Sequence, residues 1–126
     1  MFGRNRFAAR KDAGKYGKRH KPGEMNQTES EYAGILQVRK IRGEIQEWRF
    51  ESTTLRLADR TTYTPDFEIL HNDGSKEFVD VKGGGPISDT SKVKIKCCAE
   101  RFWEFSFSIQ QKMSKKNGGH WQRTEY

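Results

Sequence analysis

Thr62-Tyr63-Thr64-Pro65-Asp66-Phe67-Glu68-Ile69-Leu70, then His71-Asn72-Asp73-Gly74-Ser75, then Lys76-Glu77-Phe78-Val79-Asp80-Val81-Lys82, is the stretch on which the fold turns. Its first part alternates with period two, so Pro65, Phe67 and Ile69 share one face of a strand and Thr64, Asp66 and Glu68 the other. Its last part puts Val79 and Val81 on one face and Asp80 with Lys82 on the other. A three-residue loop Asn72-Asp73-Gly74, with glycine in the left-handed third position, is a favoured hairpin connection between two such strands. That loop sets Asp66 across from Asp80 and Thr64 across from Lys82. Directly opposed residues have Cβ atoms about 4.5–5.5 Å apart, and carboxylates that close repel at neutral pH unless a cation lies between them. The register therefore asks for a metal. Two alternatives stand beside it. A two-residue Asp73-Gly74 turn would slip the register by one and send the aspartates to opposite faces. An ordinary hairpin with a polar solvent face would explain one aspartate, but less easily two in facing register with a lysine two residues on.

The rest of the composition frames that hairpin. At 126 residues the chain reads as one domain. Hydrophobic and charged residues each make up 33 %, and the mean hydropathy is −1.00, so the core is small. No apolar run is long enough to span a membrane and no signal-peptide pattern is present, which implies a cytoplasmic protein without membrane partners. Cys97 and Cys98 are neighbours, an arrangement that seldom reaches disulfide geometry; they read as small core or boundary residues in a reducing compartment. His20, His71 and His120 are too scattered for a zinc site. The net charge of +7 is unevenly placed. Residues 1–24 carry Arg4, Arg6, Arg10, Lys11, Lys15, Lys18, Arg19 and Lys21 against only Asp12 and Glu24. The remainder, 25–126, is nearly neutral. A glycine-containing basic arm with no apolar period is expected to be disordered alone. It is either a solubilising tail or a sequence-blind grip on phosphates whose binding weakens as salt rises.

Along the domain, Asn26 or Thr28 can cap a helix that Gly43 stops. On it Glu29 falls in line with Tyr32, Ala33 and Leu36, so a glutamate sits at the N-terminal end of the core-facing stripe. It is either a first-turn acid favoured by the helix dipole or a third acid reaching the aspartate pair from the side; Glu31 is expected to face water. Glu44–Glu51 reads as a strand with Ile45 and Glu47 opposite Gln46, Trp48 and Phe50, the latter face toward the helix. Thr54–Leu57 is a short strand, and Ala58–Thr61 turns the chain into the Pro65-Asp66 strand. Pro65 has no N–H for a ladder, which favours an edge or a bulge there. Gly83-Gly84-Gly85-Pro86 lacks the residues of a nucleotide-binding loop and reads as a thin connection beside the site. A second helix over about 91–102, capped by Asp89 or Ser91, carries Val93, Ile95, Cys98 and Phe102 inward. Lys92, Lys94 and Lys96 crowd its first turns against the dipole, either for phosphate contact or as a solvated face. Trp103, Phe105, Phe107 and Ile109 then share one face of a strand. Lys115–Gly119 turns into a last short strand near His120–Thr124. The fold class is thus α/β, more narrowly an α+β mixed sheet in the order αβββαβ with a final hairpin, flanked by two helices.

Glu29, Asp66, Asp80 and Lys82 together suit phosphodiester hydrolysis. Asp66, Asp80 and the Val81 backbone carbonyl are oxygen ligands of the kind Mg²⁺ takes. Lys82 can orient or help deprotonate the attacking water and stabilise phosphate charge. Glu29 can serve a second metal, or the first through water.

These residues resemble a known family. Pro65-Asp66 followed by Asp80-Val81-Lys82 is similar to the PD-(D/E)XK signature of restriction-endonuclease-like nucleases, with Glu29 as the acid on the preceding helix. The stretch Tyr63-Thr64-Pro65-Asp66-Phe67, the Asx-Gly turn, the acid-X-Lys-Gly ending at Gly83 and the Thr28-Glu29 helix resemble the phage endonuclease I class of Holliday junction resolvases. Small phage proteins of related sequence share the Leu55-Arg56-Leu57-Ala58-Asp59 run as well. The resemblance covers about residues 26–113 and implies a restriction-endonuclease-like core over 25–126, one or two Mg²⁺ or Mn²⁺ per site, DNA (branched for the resolvases) as substrate, and a homodimer in a bacterial host cytoplasm. It assigns catalysis to Glu29, Asp66, Asp80 and Lys82 and leaves the basic arm outside; DNA contact by the arm and by Lys92, Lys94 and Lys96 is expected from their charge alone. The chain departs from the closer relatives in carrying Asp80 where they often have Glu, and in a shorter C-terminal portion. A nuclease for nicked or linear duplex, and a non-catalytic DNA-binding accessory, are the other functions these residues allow.

Overall fold

The computed structural model describes residues 23–126, so the arm residues Arg4, Arg6, Arg10, Lys11, Lys15, Lys18, Arg19 and Lys21 lie outside the described residues. The first element is α1, Gln27–Ile41. Asn26 caps it: its side chain accepts from the Glu29 N–H at 2.8 Å, while Glu29 Oε1 accepts from the Asn26 N–H at 2.9 Å. This reciprocal box satisfies two N–H groups that a helix end otherwise leaves unpaired. Arg39 and Lys40 complement the dipole at the far end, and Gly43 closes the helix with φ +78, a backbone region where a Cβ is penalised.

Seven strands follow: β1 Glu47–Phe50, β2 Leu55–Ala58, β3 Thr61–Tyr63, β4 Phe67–Leu70, β5 Lys76–Lys82, β6 Ser106–Lys112 and β7 Trp121–Glu125, with helix α2, Asp89–Arg101, between β5 and β6. The main sheet has the order β1-β4-β5-β6-β7, and β2 with β3 forms a separate two-stranded sheet. Strands β5 and β6 are parallel, joined by the α2 crossover, and the other neighbours are antiparallel. Through the main sheet the chain reads αβββαβ plus a closing hairpin, the expected mixed α+β architecture, with β2–β3 as an insertion. The β4–β5 register is the one a three-residue turn dictates. Phe67 pairs with Val79 and Leu70 with Lys76, His71 donates to the Ser75 carbonyl at 2.9 Å, and Gly74 has φ +90.

Two apolar clusters cover the two faces. On one, Tyr32, Ala33 and Leu36 of α1 pack on Phe67, Ile69, Val79 and Val81. On the other, Ile95 and Cys98 of α2 with Leu55 of β2 pack on Phe78, Phe107 and Ile109. Burying a side chain of this size contributes about 1.5–3 kcal/mol, so the sheet is held mainly by these two layers.

Several expectations need correction. The single strand Thr62–Leu70 is two, broken at Thr64-Pro65-Asp66, because Pro65 has no N–H to continue a ladder. Strand β1 starts at Glu47 rather than Glu44. Ile45 therefore escapes the alternation and is buried in the same cluster against which Trp48 and Phe50 pack. Helix α2 begins at Asp89, and its cap is Ser88, whose hydroxyl accepts from the Ser91 N–H at 3.2 Å. Val93 is 57 % exposed and Trp103 80 % exposed, neither in the core. Trp103 falls in the turn where Phe105 donates to the Phe102 carbonyl, and β6 starts only at Ser106.

Candidate metal centre

Asp66 stands immediately before β4, and Asp80 lies inside β5. Continued one step past Phe67–Val79, the ladder register brings them opposite each other. Each then uses the other's strand. The Asp66 N–H donates to Asp80 Oδ1 at 3.3 Å, and the Val81 N–H donates to Asp66 Oδ2 at 2.8 Å. Asp80 is 5 % exposed. Burial first, and then the Asp80 charge, raises the Asp66 carboxyl well above the usual carboxylate range, with Glu29 adding to the rise; the Val81 N–H and Lys82 oppose it. Lys82 at the end of β5 places Nζ 3.5 Å from Asp80 Oδ2, with its side chain one-third exposed at 33 %. A cation of fixed position thus borders the pair and faces solvent.

Glu29 is also 5 % exposed, on the stripe expected for it. One of its oxygens is committed to the capping box, and its charge is felt at Asp66. The three acids do not converge into a cage: among the described residues no three His, Cys, Asp or Glu side chains form a complete metal-binding group. The donor set is two facing carboxylates with a third acid behind them. That set fits Mg²⁺, which keeps several of its waters and is commonly held by one or two carboxylates plus substrate phosphate. It does not resemble the four-ligand closure of a structural zinc site.

Two neighbours escaped the sequence reading. Tyr63 closes β3 beside Asp80, and burial first, then the Asp80 charge, pushes its phenol far above its ordinary value. Its only sequence signal was its place in Tyr63-Thr64-Pro65-Asp66. Cys98 of α2 is raised to about 11, by burial first and then by Cys97 and Asp80, while Lys94 pulls it down. Lys94 is half-buried on this side of the helix, whereas Lys92 and Lys96 are exposed. The three lysines therefore do not form one equivalent row. Glu31, expected in water, is ion-paired with Lys112.

A further acid, Glu77, is buried on the α1 face with Val79 and Val81. It accepts from the Ser108 hydroxyl at 2.7 Å, contacts His71 Nε2 at 2.9 Å and pairs with Arg123 of β7. Burial alone would raise its carboxyl, but the hydrogen bonds from Ser108, His71 and Arg123 outweigh it and hold it below the usual range. Its signal was available: a glutamate at an apolar position of a period-two strand.

The backbone beside Asp66 is unusual as well. Glu51, just past β1, has φ +46, a left-handed conformation that costs a non-glycine residue about 1–2 kcal/mol. Its N–H donates to the Asp66 carbonyl at 2.9 Å, and its carboxylate accepts from the Gly23 N–H at 2.8 Å. Nothing in the local pattern of residues marks this position.

Among the described residues no helix is long and apolar enough to cross a membrane. No curated protein and no solved structure matches the chain. A family model matches residues 5–118, and the chain belongs to that family, described as a protein of unknown function, DUF1064.

Proposed function

For this member of the family we propose a divalent-metal-dependent DNA endonuclease that hydrolyses phosphodiester bonds. The observation that carries the reading is the facing Asp66–Asp80 pair with Lys82 at its edge. Two carboxylates held together by the β4–β5 register, one with its pKa driven up by burial and then by the other's charge, form a site whose chemistry is completed by a hard cation. The resemblance to PD-(D/E)XK nucleases supports the same assignment. A bound Mg²⁺ or Mn²⁺ would neutralise phosphate charge and make a water nucleophilic near neutral pH.

The chain's own residues divide the remaining work. Asp66 and Asp80 are the ligands, fixed in direction by the Val81 and Asp66 N–H groups. Lys82 is close enough to Asp80 to share its position and exposed enough to meet a phosphate, where it stabilises developing negative charge. Glu29 raises the negative potential of the site from the α1 side and assists the leaving oxygen. Lys94, Lys92 and Lys96 on α2, with the basic residues 1–24, supply sequence-blind affinity for the DNA backbone.

Branched DNA is the substrate that the resemblance to junction resolvases favours. A homodimer would present two such sites to opposite strands, with Trp103 the most exposed large apolar side chain among the described residues and so available to an interface. The test is a cleavage panel of four-way junction, flap, nicked and linear DNA with Mg²⁺, run beside a sizing measurement. Cutting that requires Mg²⁺ and Asp66, with the junction preferred, supports the reading. Preference for linear or nicked duplex moves the substrate but keeps the chemistry. Tight binding with no cutting on any structure replaces it with a non-catalytic DNA-binding role.

A further inference from the structure

Among the described residues the non-glycine residues with a left-handed backbone are Glu51 and Arg60. Glu51 has its contacts with Asp66 and Gly23. Arg60 stands instead at the tip of the β2–β3 hairpin, with φ +58, a turn position that glycine or asparagine fills at lower cost. Its side chain is exposed and makes no hydrogen bond or ion pair among the described residues. Strain of this kind marks function where the fold itself has a cheaper residue for the place. The hairpin also has two unlike faces. Leu55 is buried, and Leu57 and Tyr63 pack against the same cluster beneath α2. The opposite face carries Arg56 and Thr62, partners across the ladder and both exposed. The root of the hairpin is fixed at the metal centre, because β3 ends at Tyr63 beside Asp80 and Asp66 follows three residues later. Arg60 is thus six residues from Asp66, at most about 20 Å of extended chain. That reach spans the major groove, about 12 Å wide, of a duplex whose backbone lies at the aspartates.

We propose that the β2–β3 hairpin is a two-stranded ribbon that enters the major groove of duplex DNA beside the phosphate held at the Asp66–Asp80 pair, with Arg60 its leading contact and Arg56 and Thr62 behind it. The major groove admits a two-stranded ribbon, and arginine and threonine both hydrogen-bond the base edges it displays. The placement beside the scissile phosphate rests on the nuclease reading; the binding of DNA by the hairpin does not. A rigid root at the metal centre and a cation at the free end suit this task, since the groove contact then fixes which phosphate reaches the aspartates.

The experiment is fluorescence anisotropy of a fluorescein-labelled, mixed-sequence DNA duplex with the full chain in EDTA, over a range of salt, beside a thermal melt of each protein. Arg60→Gly relieves the left-handed backbone, so its Tm should rise by about 2–5 °C while its Kd rises about tenfold. A structural role for Arg60 would move both readouts in the same direction. The slope of log affinity against log salt should become shallower by about one, the loss of one cation at the DNA. Arg60→Lys keeps the cation and should stay within about threefold of wild type. Methyl green, a major-groove ligand, should displace the protein, and distamycin, a minor-groove ligand, should not. Unchanged affinity or a lower Tm in Arg60→Gly would overturn the proposal, as would displacement by distamycin in place of methyl green or no binding of duplex by wild type. The two readings fail separately. A duplex bound through Arg60 but never cut in the Mg²⁺ panel removes the nuclease and keeps the hairpin contact. Cutting that requires Mg²⁺, with Arg60→Gly binding duplex as wild type does, removes the hairpin contact and keeps the nuclease.

Discussion

Replacing Asp66 by asparagine should make the metal-free protein more stable while removing its activity. At the Cβ separation of opposed strand residues, about 5 Å, two unit charges at an effective dielectric of 20 repel by about 3 kcal/mol. Lys82, 3.5 Å from Asp80, and the partial solvent access of Asp66 reduce this to about 1–2 kcal/mol. The carboxamide oxygen of the introduced asparagine can still accept the Val81 N–H that Asp66 Oδ2 accepts at 2.8 Å, so little is lost against the gain. For a domain of this size the expected rise in Tm is about 5–10 °C in EDTA at neutral pH. The sign with pH follows from the raised Asp66 carboxyl. Between its ordinary and its raised value the folded wild type binds more protons than the unfolded chain, so wild-type stability falls as pH rises through that window. The advantage of Asp66→Asn should therefore grow with pH and shrink toward acid. Saturating Mg²⁺ should raise the Tm of wild type and leave the variant unmoved, because only a ligand that binds the native state stabilises it. Calorimetry or a dye-based melt in EDTA and in Mg²⁺ at three pH values reads all of this. An Asp66→Asn protein that is less stable than wild type in EDTA, or that gains the same stability from Mg²⁺, would refute the reasoning.

Other perturbations bear on separate joints of the structure. Lys82→Ala should lower the cleavage rate about 10²–10³-fold and leave DNA affinity within a few-fold, as single-turnover kinetics beside a binding titration would show. Glu77→Ala leaves Arg123, His71 and Ser108 without their shared acceptor and should cost about 3–5 kcal/mol in urea unfolding. Because the Glu77 carboxyl is held low, its contribution is present above the ordinary glutamate value of 4.5 and lost as pH falls through the lowered value, so wild type and variant should converge in acid. Gly74→Val places a β-branched residue at φ +90 and should destabilise by at least about 1–2 kcal/mol, measured by the same unfolding assay.

The hairpin was legible because its turn and its alternation agree. Asn72-Asp73-Gly74 fixes the loop length, loop length fixes the register, and the register brings Asp66 to Asp80. Glu29 was legible for a similar reason: its spacing from Tyr32, Ala33 and Leu36 leaves a helix no other face for it. What remained hidden depends on contacts distant in sequence. Tyr63 reaches Asp80 only because Pro65 breaks the strand and sends β3 into a second sheet with β2. Glu77 reads as misplaced until Ser108, His71 and Arg123 arrive from three other segments. Trp103 and Val93 misled for the opposite reason, since apolar residues at a helix end or on its outer side satisfy the local period without meeting a partner. Glu51 carries no signal in its residue type; its backbone conformation and its hydrogen bonds to Asp66 and Gly23 mark it.

Whether Asp66 and Asp80 form a metal-dependent site for cutting DNA is measured most directly by nicking of supercoiled plasmid. Wild type and Asp80→Asn, both as the full chain, are compared with Mg²⁺, with folding and DNA binding of each confirmed in parallel. Nicking by wild type that disappears in EDTA and in the folded, DNA-binding Asp80→Asn variant is the result expected. Equal nicking by both proteins, or none by wild type on any DNA with Mg²⁺ or Mn²⁺, would contradict it.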